Sequence, residues 1–473
     1  MKKHFLEQSI IFFSVSKWLI ISTVIGIIIG GIVTFFVNIL EYAEDSRDLL
    51  GFKYYYLLPF ALVFTVWLTK TFAPNAKGHG TEKVIEAIHK KHGKIDILVI
   101  PTKLIATVIT IFAGGSAGKE GPAAQIGAGA ASFIADLFKF SKEHRKKIVI
   151  CGISAGFAAV FGTPISGAIF GVEVLIVGII MYDVLLPSFI AGFAAFTTAQ
   201  FLGLNYTYFD MRFSQAIPLE LTLIGQVVLA GLFFGIIADF FITFLKRSEI
   251  SIKSIKMNVY LKAFIGGAFL VALSFIVGDA YFGLGLETVN NSFFSDKSLS
   301  ADIPWYAFIL KTIYTSVTLA AGGSGGVLTP LFFVGATSGN LFGTLMGDHI
   351  AFFSAIGFVS LLAGATNAPI AAIIMAVELF GLEIAPYAAI SVVITFLITG
   401  HRSVFPSQIL NMKKSEMLDI SIGEDIDHSS IDVREQDKQK FKELKQRLRD
   451  KNKVSHRRVY KDKDKDKEKD DET

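Results

Sequence analysis

A chain of 473 residues that is 52% hydrophobic and 18% charged, with a formal net charge of +4, is not composed like a water-soluble enzyme. The last 63 residues, from Asn411, hold 18 Lys/Arg and 17 Asp/Glu. The rest is therefore only about 12% charged, too little to cover a soluble globule, and the near-neutral balance excludes nucleic acid as the main partner.

Lys2, Lys3 and His4 precede an apolar run that continues to about residue 40. It is too long for a cleaved signal peptide and has no small-residue cleavage site. Further apolar stretches follow at roughly 55–73, 97–113, 148–179, 182–203, 219–245, 258–281, 304–322, 326–346, 349–365 and 369–400. Each approaches or exceeds the roughly 20 residues that cross a hydrocarbon core as a helix, and none shows strand-period alternation. Glycine and proline cut many of them, at Gly114-Gly115, Gly121-Pro122, Gly162-Thr163-Pro164, Gly322-Gly323, Thr329-Pro330 and Ala368-Pro369. Broken helices at membrane depth are tolerated where the freed backbone lines a cavity or packs in protein, a pattern that leans toward transport. The tail from 411 to 473 reads as water-exposed and largely disordered, with a short charged helix over 431–450. Cys151 is the single cysteine, which excludes an internal disulfide; its apolar neighbours make it a small buried residue. No cofactor, metal or catalytic residue is predicted.

The chain repeats itself. Residues 113–122, AGGSAGKEGP, align without gaps on residues 321–330, AGGSGGVLTP, at an offset of 208. Thr163-Pro164-Ile165 with Val172-Glu173 answers Ala368-Pro369-Ile370 with Val377-Glu378 at an offset of 205. Two matches at nearly one offset imply duplication, with halves at roughly 10–205 and 215–410 of a single membrane domain spanning 1–410. Matching interrupted segments in two halves point to a binding site between them.

The chemistry concentrates at these interruptions. Gly118 and Gly121 free the backbone around Glu120, and Pro122 suits the first turn of a helix. A helix start offers unpaired N–H groups and a positive dipole end to a small anion. A carboxylate there can take the anion's place and leave it when protonated; the alternative is a structural helix-start glutamate. In the second half, Gly326, Val327 and Leu328 open another helix whose amides could face an anion held between the repeats. Neutral donors suit an ion that must both bind and leave. The motif GxSxG occurs three times, at 114–118, 152–156 and 322–326, but it reads as small-residue helix packing without a nearby histidine, so no hydrolase is expected. A phosphate-binding loop fails as well, because Glu120 stands where Ser/Thr is required.

GKEGP, with GTPISGAIFGVEVL downstream and GGVLTP in the second half, resembles the CLC family of chloride channels and proton-coupled chloride antiporters over roughly residues 10–410. The resemblance implies an all-α polytopic membrane protein with an inverted-repeat fold and broken, re-entrant helices. It also implies a homodimer with a separate anion path in each subunit. It places Glu120 on the gating glutamate and Gly326, Val327 and Leu328 on the second anion loop. The lysines at both ends put both termini in the cytoplasm of a multi-pass protein of the cell membrane.

The resemblance also exposes departures. Where the family's first anion loop reads GSGIP, this chain has Gly78-His79-Gly80-Thr81-Glu82, so His79 replaces the serine, and its ring or the Gly80 and Thr81 amides would coordinate the ion. Leu328 stands for a phenylalanine, and Phe405 for the pore tyrosine. Val174 stands where proton-coupled members carry an inner glutamate, leaving Glu120 and, as a weak second, Glu173 for a proton path. The expected function is chloride transport gated by Glu120 as a proton-coupled antiporter. A passive voltage- or pH-gated channel and a fluoride-preferring transporter stay open. The implied partners are chloride or a similar small anion, protons and membrane lipid.

Overall fold

The computed structural model describes residues 2–206, 220–293, 303–347 and 349–439. The first half runs through α1 (Lys2–Asp45), α2 (Leu58–Phe72), α3 (Gly80–Lys90), α4 (Val99–Phe112), α5 (Glu120–Leu137), α6 (Lys142–Phe161), α7 (Pro164–Glu173) and α8 (Tyr182–Phe201). The second continues with α9 (Leu221–Ser254), α10 (Val259–Val277), α11 (Leu286–Ser292), α12 (Ala307–Ala320), α13 (Leu328–Met346), α14 (Ile350–Thr366), α15 (Pro369–Phe380) and α16 (Ala385–Ile398). Helices α1, α8, α9 and α10, and α2 together with the helical turn before it (Tyr54–Phe72), are long and apolar enough to cross a membrane; α4, α12, α14, α15 and α16 are apolar but shorter. This is the mixture of full and broken helices that the glycine and proline interruptions predict. Pro164 and Pro369 begin α7 and α15, where a missing N–H costs no helical bond.

The duplication is visible as reciprocal contact. Thr110 in α4 accepts a hydrogen bond from the Ser324 amide (3.1 Å), and its repeat mate Thr318 in α12 accepts one from the Ser116 amide (3.2 Å). Thr107 meets the Ser324 hydroxyl at 3.2 Å, and Thr315 meets that of Ser116 at 2.9 Å. Exchange of equivalent contacts between halves is the signature of a two-fold relation. Helix crossings repeat too. Gly127 of α5 rests on the Gly152 carbonyl of α6, and Gly335 of α13 rests on the Gly357 carbonyl of α14, leaving no room for a Cβ at either. Small residues at such crossings let helices pack by close backbone approach when lipid provides no hydrophobic drive between them.

The segment after α16 departs from expectation. Ile409–Leu410 (β2) pairs in parallel with Ile176–Val177 (β1), and Leu418–Ile420 (β3) pairs antiparallel with Ile431–Val433 (β4). Val177, Leu410 and Ile420 form a small apolar cluster, and the segment is tied down by Lys90–Asp425 (3.5 Å) and Lys246–Asp427 (2.6 Å) ion pairs. The expectation of disorder from 411 is therefore corrected as far as residue 439, and the charged helix expected from 431 begins only at 435, after β4, and is described as far as 439. Sparse Ile and Leu residues in a charged stretch suffice to cover the edge left at Val177. The rest of the tail, 440–473, lies outside the described residues.

Candidate functional site

Three helix starts converge between the halves. Gly118 and its repeat mate Gly326 exchange backbone hydrogen bonds (2.8 and 2.6 Å). A Cβ on Gly121 would lie 2.9 Å from the Gly326 Cα, so the starts of α5 and α13 are in backbone contact. Gly80, the first residue of α3, packs equally closely on the Gly121 carbonyl. The positive dipole ends of α3, α5 and α13 thus face one another in a buried region. Lys103, fully buried in α4, donates to the Ala76 (3.2 Å) and Gly78 carbonyls and so fixes the loop that leads into His79 and Gly80. Its repeat mate Lys311 does the same for Tyr281 (3.2 Å) and Gly283 (2.8 Å).

Glu120 is 2% exposed and seated on the opposite half. Thr329, in the first turn of α13, donates from its hydroxyl to the carboxylate oxygens, at 2.5 and 2.6 Å, and from its amide at 3.2 Å. The carboxyl group therefore lies at the positive ends of two helices, its own and α13. A side chain at Gly118 would occupy the same space as that carboxylate, since a Cβ there would fall 2.6 Å from the Thr329 hydroxyl. The preceding Lys119 is buried and lies 3.8 Å from Glu41 of α1.

The structure brings Gly80, Gly118, Glu120, Gly121 and Gly326 together, with Val327 and Leu328 buried at the start of α13. The Gly118 and Gly326 amides are spent on each other, so the expectation that they donate to an anion is not met in this conformation; Val327 and Leu328 keep the amides of an unpaired first turn. His79 stands in extended backbone just before α3 without a side-chain bond to the helix start, and its ring lies 6.2 Å from the fully buried ring of Phe405. The Glu82 carboxylate accepts from the Ser407 amide (3.2 and 3.3 Å) and hydroxyl, tying α3 to the Phe405 loop.

Glu173 sits elsewhere. It accepts from the Ile370 (3.0 Å) and Ala371 (2.8 Å) amides at the start of α15, while Glu378 accepts from Ile165 (2.9 Å) and Ser166 (2.8 Å) at the start of α7. Each carboxylate caps the other half's helix. Val174 beside it is fully buried. Sequence reasoning missed Thr329, Glu82 and the lysine pair. The repeat offset carried a signal for the lysines: 103 plus 208 is 311. For Glu82 and Ser407, 325 positions apart, nothing in the sequence marks the pairing.

The sequence family described as "Voltage gated chloride channel" matches residues 61–400. A chloride/fluoride channel protein of Pseudomonas syringae pv. tomato is 34% identical over 407 residues, covering 85% of this chain and 88% of that one. A solved CLC-type fluoride/proton antiporter superposes with a TM-score of 0.79 at 29% identity, over 84% of this chain and 99% of its own. A slow cyanobacterial chloride/proton antiporter, at 19% identity and a TM-score of 0.69 over 81% and 94% of the two chains, shares the fold.

Proposed function

Starting from a chain that belongs to the voltage-gated chloride channel (CLC) family, we propose that it carries chloride across a membrane between its two repeat halves, in exchange for protons, with Glu120 as the gate. One observation carries the reading: the buried Glu120 carboxylate, seated by Thr329 of the opposite half, where the starts of α3, α5 and α13 meet. The dipole ends attract one negative charge, which can be either the carboxylate or a mobile anion. Protonation removes the carboxylate's charge and its claim to the seat, so anion occupancy and proton occupancy become linked. Glu173 is left with a scaffold role, because its oxygens are engaged at α15. The proposal includes a homodimer with one path per copy in the cell membrane and both chain ends in the cytoplasm, in keeping with the lysines at each end.

A second reading, with fluoride as the cargo, is favoured by the names of the Pseudomonas relative and of the solved antiporter. It is also favoured by a first loop and a Phe405 that lack the family's serine and tyrosine hydroxyls. Flux from liposomes holding purified protein, with chloride and fluoride tested separately and protons followed at once, decides among these. Uphill proton movement driven by an anion gradient is the expected result; anion flux without it would leave a passive channel, and flux of neither anion would refute the reading. Glu120→Gln and Glu120→Ala are expected to abolish the pH dependence of flux, and its survival in both would remove Glu120 from the gate.

A further inference from the structure

Thr81 is the second residue of the eleven-residue helix α3 and is 1% exposed. Its hydroxyl oxygen is buried and has no hydrogen-bond partner among the described residues. Such a hydroxyl is costly to bury unless something transient or mobile takes the bond. Its position narrows what that is. The oxygen lies 3.6 Å from where a Gly121 Cβ would be, and the same point is 2.9 Å from the Gly326 Cα and 3.5 Å from the Gly80 amide nitrogen. The hydroxyl therefore borders the junction of the three helix starts on its α3 side, beside the contact between Gly121 and Gly326. Gln125 places an unpartnered oxygen on the Gly80 side, with its amide nitrogen held by the Asn75 carbonyl (2.8 Å), yet the two side chains do not bond each other. A negatively charged hydrogen-bond acceptor entering this junction finds in Thr81 a neutral donor whose O–H can rotate toward it, whereas the His79 ring, whose buried Nδ1 also has no partner among the described residues, donates only from the nitrogen its tautomer protonates.

We propose that the Thr81 hydroxyl donates a hydrogen bond to the transported halide as it passes the junction. It thereby supplies from α3 the side-chain contact for which His79 and Phe405 carry no hydroxyl. The assignment rests on the transport reading above and adds a specificity-determining residue to it. A neutral hydroxyl at the end of three dipoles holds a halide without trapping it, which a cation would not allow.

The test is calorimetric titration of the purified protein with sodium chloride and, separately, sodium fluoride. Thr81→Val keeps the shape and removes the donor, while Thr81→Ser keeps the donor. Loss of a hydrogen bond to a charged group is expected to weaken binding of the transported anion roughly tenfold to a hundredfold in T81V, with T81S within about twofold of wild type. Thermal stability in anion-free buffer is expected to be unchanged in both, which separates a ligand contact from a packing role. If T81V proves unstable, T81A removes the same donor. Wild-type affinity in T81V, or equal weakening in T81V and T81S, would overturn the assignment alone. Wild-type protein that binds neither anion would overturn the transport reading and this assignment with it.

Discussion

Thr329→Val removes the hydroxyl on which Glu120 is seated while keeping the shape of the side chain. One hydroxyl has one proton, so the contacts at 2.5 and 2.6 Å represent a single donor shared by two carboxylate oxygens. A hydrogen bond to a charged acceptor contributes about 1.5–3 kcal/mol in mutational series. The Thr329 amide, 3.2 Å from the carboxylate, remains in the variant and softens the loss. The ratio of seated to unseated Glu120 is therefore expected to fall by about tenfold to a hundredfold. In the gating scheme the seated carboxylate excludes the anion, so initial chloride efflux from liposomes at neutral pH should rise. The ceiling is the efflux of Glu120→Ala, in which the gate is absent, and T329V should lie between it and wild type. Efflux and pH profile indistinguishable from wild type in T329V would refute the claim that this contact holds the gate.

Two further predictions concern the scaffold and the tail. Glu378→Ala should strip the carboxylate partners from the Ile165 and Ser166 amides, and Glu173→Ala those from Ile370 and Ala371; of the four donors only the Ala371 amide is fully buried, so the expected loss is about 1–3 kcal/mol in E173A and less in E378A. Detergent-solubilised E173A, from the more deeply buried of the two sites, should unfold at lower temperature than wild type; unchanged unfolding would contradict the capping role. After the last helix, the buried His401 accepts from the Lys414 amide (2.9 Å), which requires a neutral ring nitrogen. Burial, reinforced by the Lys414 ammonium and opposed by the Met412 backbone, pulls the His401 pKa down from 6.5 to about 4. Between these values the unfolded chain binds the proton and the folded chain does not, so this contribution to stability is full above pH 6.5 and is lost as pH falls toward 4. The loss reaches about 3 kcal/mol. Thermal unfolding across that window should decline less steeply in His401→Gln than in wild type, and parallel profiles would dismiss the residue.

The membrane body was legible because its signals are local or periodic. Uninterrupted apolar length marks α1 and α9, while GKEGP and GGVLTP announce helix starts by glycine freedom followed by proline. The constant offset then pairs the halves without any structural knowledge. What escaped were contacts that depend on how the halves meet. Thr329 lies inside a motif noted for its backbone, and only the docking of α13 on α5 turns its hydroxyl toward Glu120. Glu82 drew no reading of its own in the sequence, yet it is buried against Ser407, because α3 lies under the segment that follows α16. The short strands of the tail escaped for a different reason. Pairs of apolar residues such as Ile409-Leu410 are too brief to register as period-two patterns, and the pairing with Ile176-Val177 spans more than 230 positions.

The site also shows why a symmetric scaffold needs an asymmetric charge. Gly118 and Gly326 occupy equivalent places in the two repeats and bond to each other, so the approximate two-fold axis passes between them. Beyond that pair the equivalence breaks in three successive residues: Lys119 faces Val327 in the alignment, Glu120 faces Leu328, and Gly121 faces Thr329. Symmetry is required for the helix starts to converge, since each half positions the other through matched Thr–Ser and Glu–amide contacts. Charge symmetry would defeat the site. A second carboxylate at Leu328, 1% exposed in the same buried region, would repel the first and hinder joint ionisation of the pair. The duplication then supplies the frame and divergence the difference: one repeat contributes the buried carboxylate, the other the hydroxyl that seats it. On this argument Leu328→Glu should be far more damaging than Leu328→Phe, even though position 328 is the repeat equivalent of a glutamate. Equal chloride flux in the two variants would mean that the charge asymmetry is incidental.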